Sequence, residues 1–344
     1  MKFWQSFLKR SGAAALAAAF AISLAACTNS GSPASSASSA VSQTSTAAAG
    51  PVTVKNAAGT DVTIQEAPKK IVVLPVWAAE MTLDLVDTGR VAGLSSYMDS
   101  SVTTALADTA KKVEKRVASE AEAILGLTPD LVVLDTFNDA DGSLAKTLTD
   151  AGVTVLTLAS PVTYEEIADR LTTLSKALFA ADKGDKLVSD MQAKLDAVKA
   201  KVKDVPENER VKVMYYEASY SADGMLCAYG EGSPFQAVAE AAGTVNVCTA
   251  PLYSNVSKET VVNEWKPEVL VVPGVTYGAD FSVTEDGGAA MKASILADAA
   301  MKTVPAVQNG RIIALTEKYR GSTSQYMAYA AEELARACYP DLFK

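Results

Sequence analysis

Glu122-Ala-Ile-Leu-Gly-Leu-Thr-Pro-Asp-Leu-Val-Val-Leu134 and Glu259-Thr-Val-Val-Asn-Glu-Trp-Lys-Pro-Glu-Val-Leu-Val-Val272 are imperfect copies of one pattern. Each opens on a carboxylate and runs through a short helical stretch to a proline. An acidic residue then leads into an unbroken apolar run. Proline stops a helix because it has no N–H and restricts the residue before it. An apolar run without strict alternation is a strand covered on both faces, as in a parallel sheet. The pattern occurs twice, so the chain is built from two similar halves.

Other segments repeat around this unit. Lys70-Ile-Val-Val-Leu74 opens the first half as a strand, and Val211-Lys-Val-Met-Tyr215 opens the second. Gly152-Val-Thr-Val-Leu-Thr-Leu158 closes the first, and Gly310-Arg-Ile-Ile-Ala-Leu315 closes the second. The fold class is therefore α/β: two lobes with parallel sheets, joined by one long rigid helix. The joining helices occupy residues 163–205. Tyr164, Ile167, Leu171, Leu174 and Leu178 recur at helical spacing behind Glu165 and Glu166. Lys183-Gly184 reads as an interruption. A second stripe follows: Leu187, Val188, Met191, Leu195, Val198 and Val202. The lobes then span 51–162 and 206–344. Ahead of the first, Val52 to Lys55 and Asp61 to Ile64 alternate around Asn56-Ala-Ala-Gly59 and read as a β-hairpin. Trp265, inside the helical stretch before Pro267, reads as core.

Composition narrows the function. The 344 residues carry a net charge of −9, which argues against nucleic acid as a partner. Nearly half are apolar and 7% are aromatic, which suits a helix-rich α/β protein. Histidine is absent, so Ser-His-Asp and Cys-His nucleophiles and histidine zinc sites are excluded. The four cysteines include no CxxC pair. Among Cys227, Cys248 and Cys338, one disulfide, with Cys248–Cys338 preferred, and three buried thiols are both open readings.

The first 26 residues read as a leader. Lys2, Lys9 and Arg10 precede an apolar run over 13–22 that is too short to span a membrane. Leu24-Ala-Ala-Cys27 resembles the bacterial lipobox, which implies cleavage before Cys27 and acylation of its thiol. Buried acyl chains contribute about 0.8 kcal/mol per CH₂, so two or three hold a soluble body on a bilayer. Residues 27–50, rich in Ser, Ala, Thr and Gly and free of charge, read as a tether without a fold of its own.

A lipobox, a tether, two duplicated α/β lobes and a connecting helix resemble the class III periplasmic-binding proteins, which serve ABC importers of iron-siderophores, haem and cobalamin. The matching segments are Ile71-Val-Val-Leu-Pro75 with Glu80, Arg90-Val-Ala-Gly-Leu94, Glu122 through Leu134, Val256-Ser-Lys-Glu259 and Val304-Pro-Ala-Val-Gln-Asn-Gly-Arg311. Ala79 stands where the family usually has Thr. The resemblance implies a monomer on the extracytoplasmic face of the cell membrane, not an enzyme and without a cofactor or metal of its own. Its partners would be an ABC permease dimer with its ATPase, the membrane through the anchor, and a small-molecule metal chelate. Glu122 and Glu259, one per lobe, would dock on the permease. The ligand would lie between the lobes, on loops that follow strand ends. By family position Tyr97, Tyr253 and Arg116 fall there. Trp77, Tyr220, Tyr277, Lys318, Tyr319 and Arg320 follow strands in the same manner.

Arginine forks and tyrosine faces suit an anionic ferric siderophore, which ranks first. Cobalamin ranks second, because its binder uses more tryptophan. Haem ranks third and would need Tyr97 or a methionine as axial ligand. A reading of a different class is a lipid-anchored surface hydrolase, for which Asp135, Asp139 and Asp141 would be the acid–base residues.

Overall fold

The structure, a computed structural model, describes residues 50–218, 226–277 and 283–344. β1 (Val52–Lys55) and β2 (Asp61–Ile64) pair antiparallel. The Asn56 carboxamide oxygen accepts from the N–H groups of Ala58 and Thr60 and holds the turn.

The first lobe runs β3 (Ile71–Val73), α1 (Val76–Leu85), β4 (Val91–Leu94), α2 (Ala107–Ala110), α3 (Ala121–Leu125), β5 (Leu131–Asp135), α4 (Ser143–Asp150) and β6 (Thr154–Leu158). Its strands form a parallel sheet in the order β4-β3-β5-β6. Ile71, Val73, Leu131 and Val133 face one apolar layer; Val72, Leu74, Val132 and Leu134 face the other. Both faces are covered, so every position of these runs is apolar. Each such side chain contributes about 1.5–3 kcal/mol by leaving water.

The connection is α5 (Tyr164–Ala177) and α6 (Ala181–Val202). Thr163 and Glu166 form a reciprocal capping box at the start of α5. The break between the helices lies at residues 178–180, where Phe179 adopts φ +58°, and not at Lys183-Gly184. Gly184 serves packing instead. A Cβ there would fall 2.2 Å from Ser175 Oγ and 2.3 Å from Ser175 Cβ. Its absence lets α6 close onto α5. The 22 residues of α6 rise about 33 Å.

The second lobe runs β7 (Lys212–Tyr215), β8 (Glu217–Ala218), β9 (Leu226–Tyr229), α7 (Pro234–Ala241), β10 (Val245–Asn246), β11 (Tyr253–Val256), α8 (Lys258–Thr260), a π-helical turn (Val261–Trp265), β12 (Val269–Val272), β13 (Val275–Tyr277), β14 (Val283–Glu285), α9 (Ala289–Ala297), α10 (Pro305–Gln308), β15 (Ile312–Ala314), α11 (Glu317–Arg320) and α12 (Met327–Cys338). Its parallel sheet has the order β10-β7-β12-β15. In each lobe the opening strand lies between the second and third, so the duplication extends to topology. The second lobe also carries two antiparallel pieces that the repeat does not foretell, β11-β9-β8 and β13-β14.

The two copies of the opening motif share a joint. The residue before each proline is left-handed: Thr128 at φ +49° and Lys266 at φ +45°. The acidic residue after each proline then grips the opening strand. Asp130 accepts from the N–H groups of Lys69 at 2.7 Å and Lys70 at 3.0 Å, and Glu268 accepts from Lys212 N–H at 2.8 Å.

One apolar core reaches from lobe to lobe. Ile71 and Val73 of the first, Ile167, Leu171, Met191 and Leu195 of the connection, and Val213, Tyr215 and Leu334 of the second belong to it. Trp265 is half-buried against the outer layer of the second lobe. Cys227, Cys248 and Cys338 are buried free thiols. The preferred Cys248–Cys338 bridge is not formed. Cys248 packs with Met214 on one face of the β7 sheet, whereas Cys338 packs with Val213 and Tyr215 on the other. Burial pushes the Cys338 thiol up to about 12.

Candidate functional site

Strand ends of the two lobes frame a cleft of ≈ 520 Å³. The first lobe supplies Val76 after β3 and Tyr97, Val102 and Thr103 after β4. The second supplies Tyr229 at the end of β9, Pro234 and Phe235 at the start of α7, and Glu317, Arg320, Gly321 and Thr323 beyond β15, with Val283 beside them. The β9–β11 register sets Tyr253 opposite Tyr229, and their rings lie 4.6 Å apart. The wall is mostly aromatic and aliphatic, a surface suited to a ligand with broad ring faces.

The floor is a buried ion pair. Arg320 donates to Glu317 through Nε at 3.1 Å and through Nη2, with side-chain exposures of 11% and 8%. The guanidinium carbon lies 4.8 Å from the Tyr215 ring centre and 5.9 Å from that of Tyr229. Burial opposes the Arg320 charge, but the ion pair with Glu317 outweighs it and holds the guanidinium protonated. Glu217 accepts from the hydroxyls of Tyr215 at 3.2 Å and Tyr253 at 3.4 Å. Burial raises the Glu217 carboxyl above its usual range, with Arg320 acting against the shift. Burial likewise raises the phenols of Tyr215, Tyr229 and Tyr253.

Two of the residues expected at the cleft line it: Tyr97, 64% exposed, and Arg320. Tyr253 stands behind Tyr229 at the rim. Trp77 is 5% exposed, and its Nε1–H donates to Asp135 Oδ2 at 3.0 Å; its place beside the first strand is a core place. Arg116 is spent within its own lobe. It pairs with Asp99 at 2.6 Å and donates to the carbonyls of Val113, Lys115 and Ala110. Tyr319 stacks on Tyr329 at 5.0 Å, and Lys318 lies 5.6 Å over the Tyr319 ring; neither lines the cleft. Tyr220, the side chain of Tyr277 and Cys27 lie outside the described residues. Glu122 and Glu259 are exposed in the first turns of α3 and α8, equivalent places in the two lobes.

Glu317, Glu217, Tyr229 and Phe235 were not among the residues expected at the site. The one signal for Glu317 is its place at the head of Lys318-Tyr319-Arg320. Phe137, 84% exposed on the turn after β5, was also passed over. Asp135 builds that turn. One carboxylate oxygen accepts from the N–H groups of Phe137 and Asn138, and the other from Trp77 and Ser160. Asp139 accepts from the N–H groups of Leu144 and Ala145, and Asp141 from that of Ser143. All three aspartates named for the hydrolase reading are thus engaged in local structure.

A polar clamp joins the lobes beside the cleft. Glu80 of α1 is fully buried and accepts four hydrogen bonds. Thr104 and Ala105 supply two from its own lobe, and Ser322 and Ser324 supply two from the other. One turn on, Asp84 accepts from Gln325 Nε2 at 2.7 Å and the Tyr326 hydroxyl at 2.8 Å. Burial raises both carboxyls. Segment 320–326 therefore lines the cleft through Arg320, Gly321 and Thr323 and holds the opposite lobe through Ser322, Ser324, Gln325 and Tyr326.

A model of the periplasmic binding protein family matches residues 71–319. The chain belongs to that family. An uncharacterized ABC transporter substrate-binding lipoprotein of Bacillus subtilis (strain 168), YvrC, is 28% identical over 301 residues, covering 86% of this chain and 87% of that one. A cobalamin-binding protein of Halobacterium salinarum is 26% identical over 225 residues, covering 64% of this chain and 58% of that one. A periplasmic binding protein from Veillonella parvula has the same fold, with a TM-score of 0.72 and 20% identity over 85% of this chain and 99% of its own.

Proposed function

We propose that this chain is the substrate-binding lipoprotein of an ABC importer, anchored through Cys27 on the extracytoplasmic face of the membrane. It takes a bulky, near-neutral metal chelate of the corrinoid type between its lobes. One observation carries the ligand class: the cation that lines the cleft, Arg320, is already neutralised by Glu317. Of the other two cations assigned to an anionic ligand, Arg116 is tied to Asp99, and Lys318 lies over the Tyr319 ring outside the lining of the cleft. The undescribed segments 219–225 and 278–282 contain no lysine or arginine. An anionic ferric siderophore needs free donors of positive charge; a corrinoid needs apolar faces and neutral hydrogen bonds. The ferric siderophore thus falls to second place. The cobalamin-binding relative from Halobacterium salinarum supports the same order.

Delivery follows from the family. Glu122 and Glu259 dock on an ABC permease dimer, whose ATPase drives import. Equivalent charges on two similar lobes fit a partner with two-fold symmetry.

Titrating the purified protein with cyanocobalamin, ferric hydroxamates, ferric catecholates and hemin tests the ligand. Cyanocobalamin is expected to quench the intrinsic fluorescence at micromolar concentration or below. Y229A is expected to weaken it about tenfold, as loss of one ring face implies. Tighter binding of a ferric catecholate than of cyanocobalamin would reverse the order.

A further inference from the structure

The charge balance of the cleft floor assigns a role to Glu317. We propose that Glu317 sets the charge selectivity of the cleft: by holding Arg320 neutralised, it admits uncharged chelates and refuses polyanionic ones. The inference rests on the cleft being the ligand site.

Glu317 and Arg320 stand one turn apart on α11, Glu317 buried and Arg320 with only 11% of its side chain exposed. Arg320 also lies against the rings of Tyr215 and Tyr229, so it is fixed beside its partner. Glu217 is a second carboxylate near the same guanidinium, held by two tyrosine hydroxyls. The facing wall of Val76, Tyr97, Val102 and Thr103 carries no charge. An anion entering this space meets Glu317 and a cation already paired, with Glu217 behind them. Away from water that repulsion is weakly screened. A neutral ligand meets no such opposition. Guanidinium hydrogens not used by Glu317 remain donors for an uncharged acceptor such as a carboxamide oxygen.

The pair is not the least costly floor for an apolar ligand. A buried ion pair is often replaceable by hydrophobic groups without loss of stability. An apolar floor, however, would discriminate less against a ligand's charge. Rejection by juxtaposed like charge is how such discrimination is built.

The test compares wild type with E317Q and E317D, using cyanocobalamin, an uncharged ferric trihydroxamate and a trianionic ferric tris-catecholate. Glutamine keeps an oxygen for Arg320, and thermal melts check the fold. E317Q is expected to gain about tenfold in affinity for the tris-catecholate, a gain that largely persists at high salt because the repulsion it relieves is shielded from water. E317D is expected to keep the wild-type preference. E217Q, which leaves the pair untouched, should shift affinity in the same direction and serves if E317Q does not fold. Tris-catecholate affinity unchanged in every folded variant would overturn the proposal while leaving the cleft reading intact. A wild type that binds the trianion as tightly as the neutral chelates would also overturn it. Failure of every chelate to bind wild type or variant would sink the cleft reading and this inference together.

Discussion

Glu80 shows how much one side chain decides. The family resemblance marks its position, but only packing shows that it ties the two lobes together. Its carboxyl titrates above the ordinary range because burial outweighs four donors. Asp84 one turn along α1 and the Tyr326 phenol are titratable neighbours, and neither brings a positive charge to Glu80. The folded state therefore holds the Glu80 proton more tightly than the unfolded chain does. Its contribution to stability is fullest below the ordinary carboxylate range and falls as pH rises through the raised value. Glutamine at this position mimics the protonated form. Its oxygen faces Ala105 N–H, and its amide faces serine hydroxyls able to accept. The melting temperature of wild type relative to E80Q is expected to fall as pH rises from acid. A difference constant with pH would refute this. Trp77 and Arg116 teach the opposite lesson. Place after a strand for Trp77 and family position for Arg116 suggested ligand contacts, but their polar atoms already have partners inside the first lobe.

Among the elements, the α5–α6 pair is sensitive to a small change. Gly184 reads as a helix breaker, but it sits inside α6 because the helices cross there without room for a Cβ. Periodicity gives each helix its face, whereas the closeness of a crossing depends on the partner's surface. G184A is expected to destabilise the fold by about 1–3 kcal/mol through overpacking. S175G should restore much of the loss, as denaturant melts of the double variant would show. The helix–proline–strand joints were easier to read, because proline acts on its immediate neighbours. Their left-handed residues, Thr128 and Lys266, carry no signal of their own. Such a conformation is unfavourable for non-glycine residues, so the clamps by Asp130 and Glu268 on the opening strands must hold these joints in place.

In the whole molecule, the shared core, α6 and the Glu80–Asp84 clamp all resist separation of the lobes. Closure on ligand is therefore expected to be small. Solution scattering with and without cyanocobalamin should give nearly the same radius of gyration, and a marked compaction would refute this. Docking belongs to the same level, since it uses both lobes together. The double variant E122R/E259R is expected to keep ligand affinity while uptake into cells is lost. Retained uptake would remove these glutamates from the permease contact.

The duplication, the parallel sheets, the hairpin and the connecting helices were legible because each rests on local chemistry. Proline stops, apolar runs and helical stripes act within a few residues. The absence of histidine and the excess of acid excluded whole classes of function before any fold was drawn. The antiparallel pieces of the second lobe, the free state of its cysteines and the composition of the cleft were settled only by folding. Tyr229 meets Tyr253 through strand register, Glu80 reaches Ser322 across the chain, and Arg320 is neutral in effect because it is buried beside Glu317. Spacing along the chain fixes which residues can share an element, but the electrostatic state of a side chain depends on which groups the packing brings within a few ångströms and on how much water it removes.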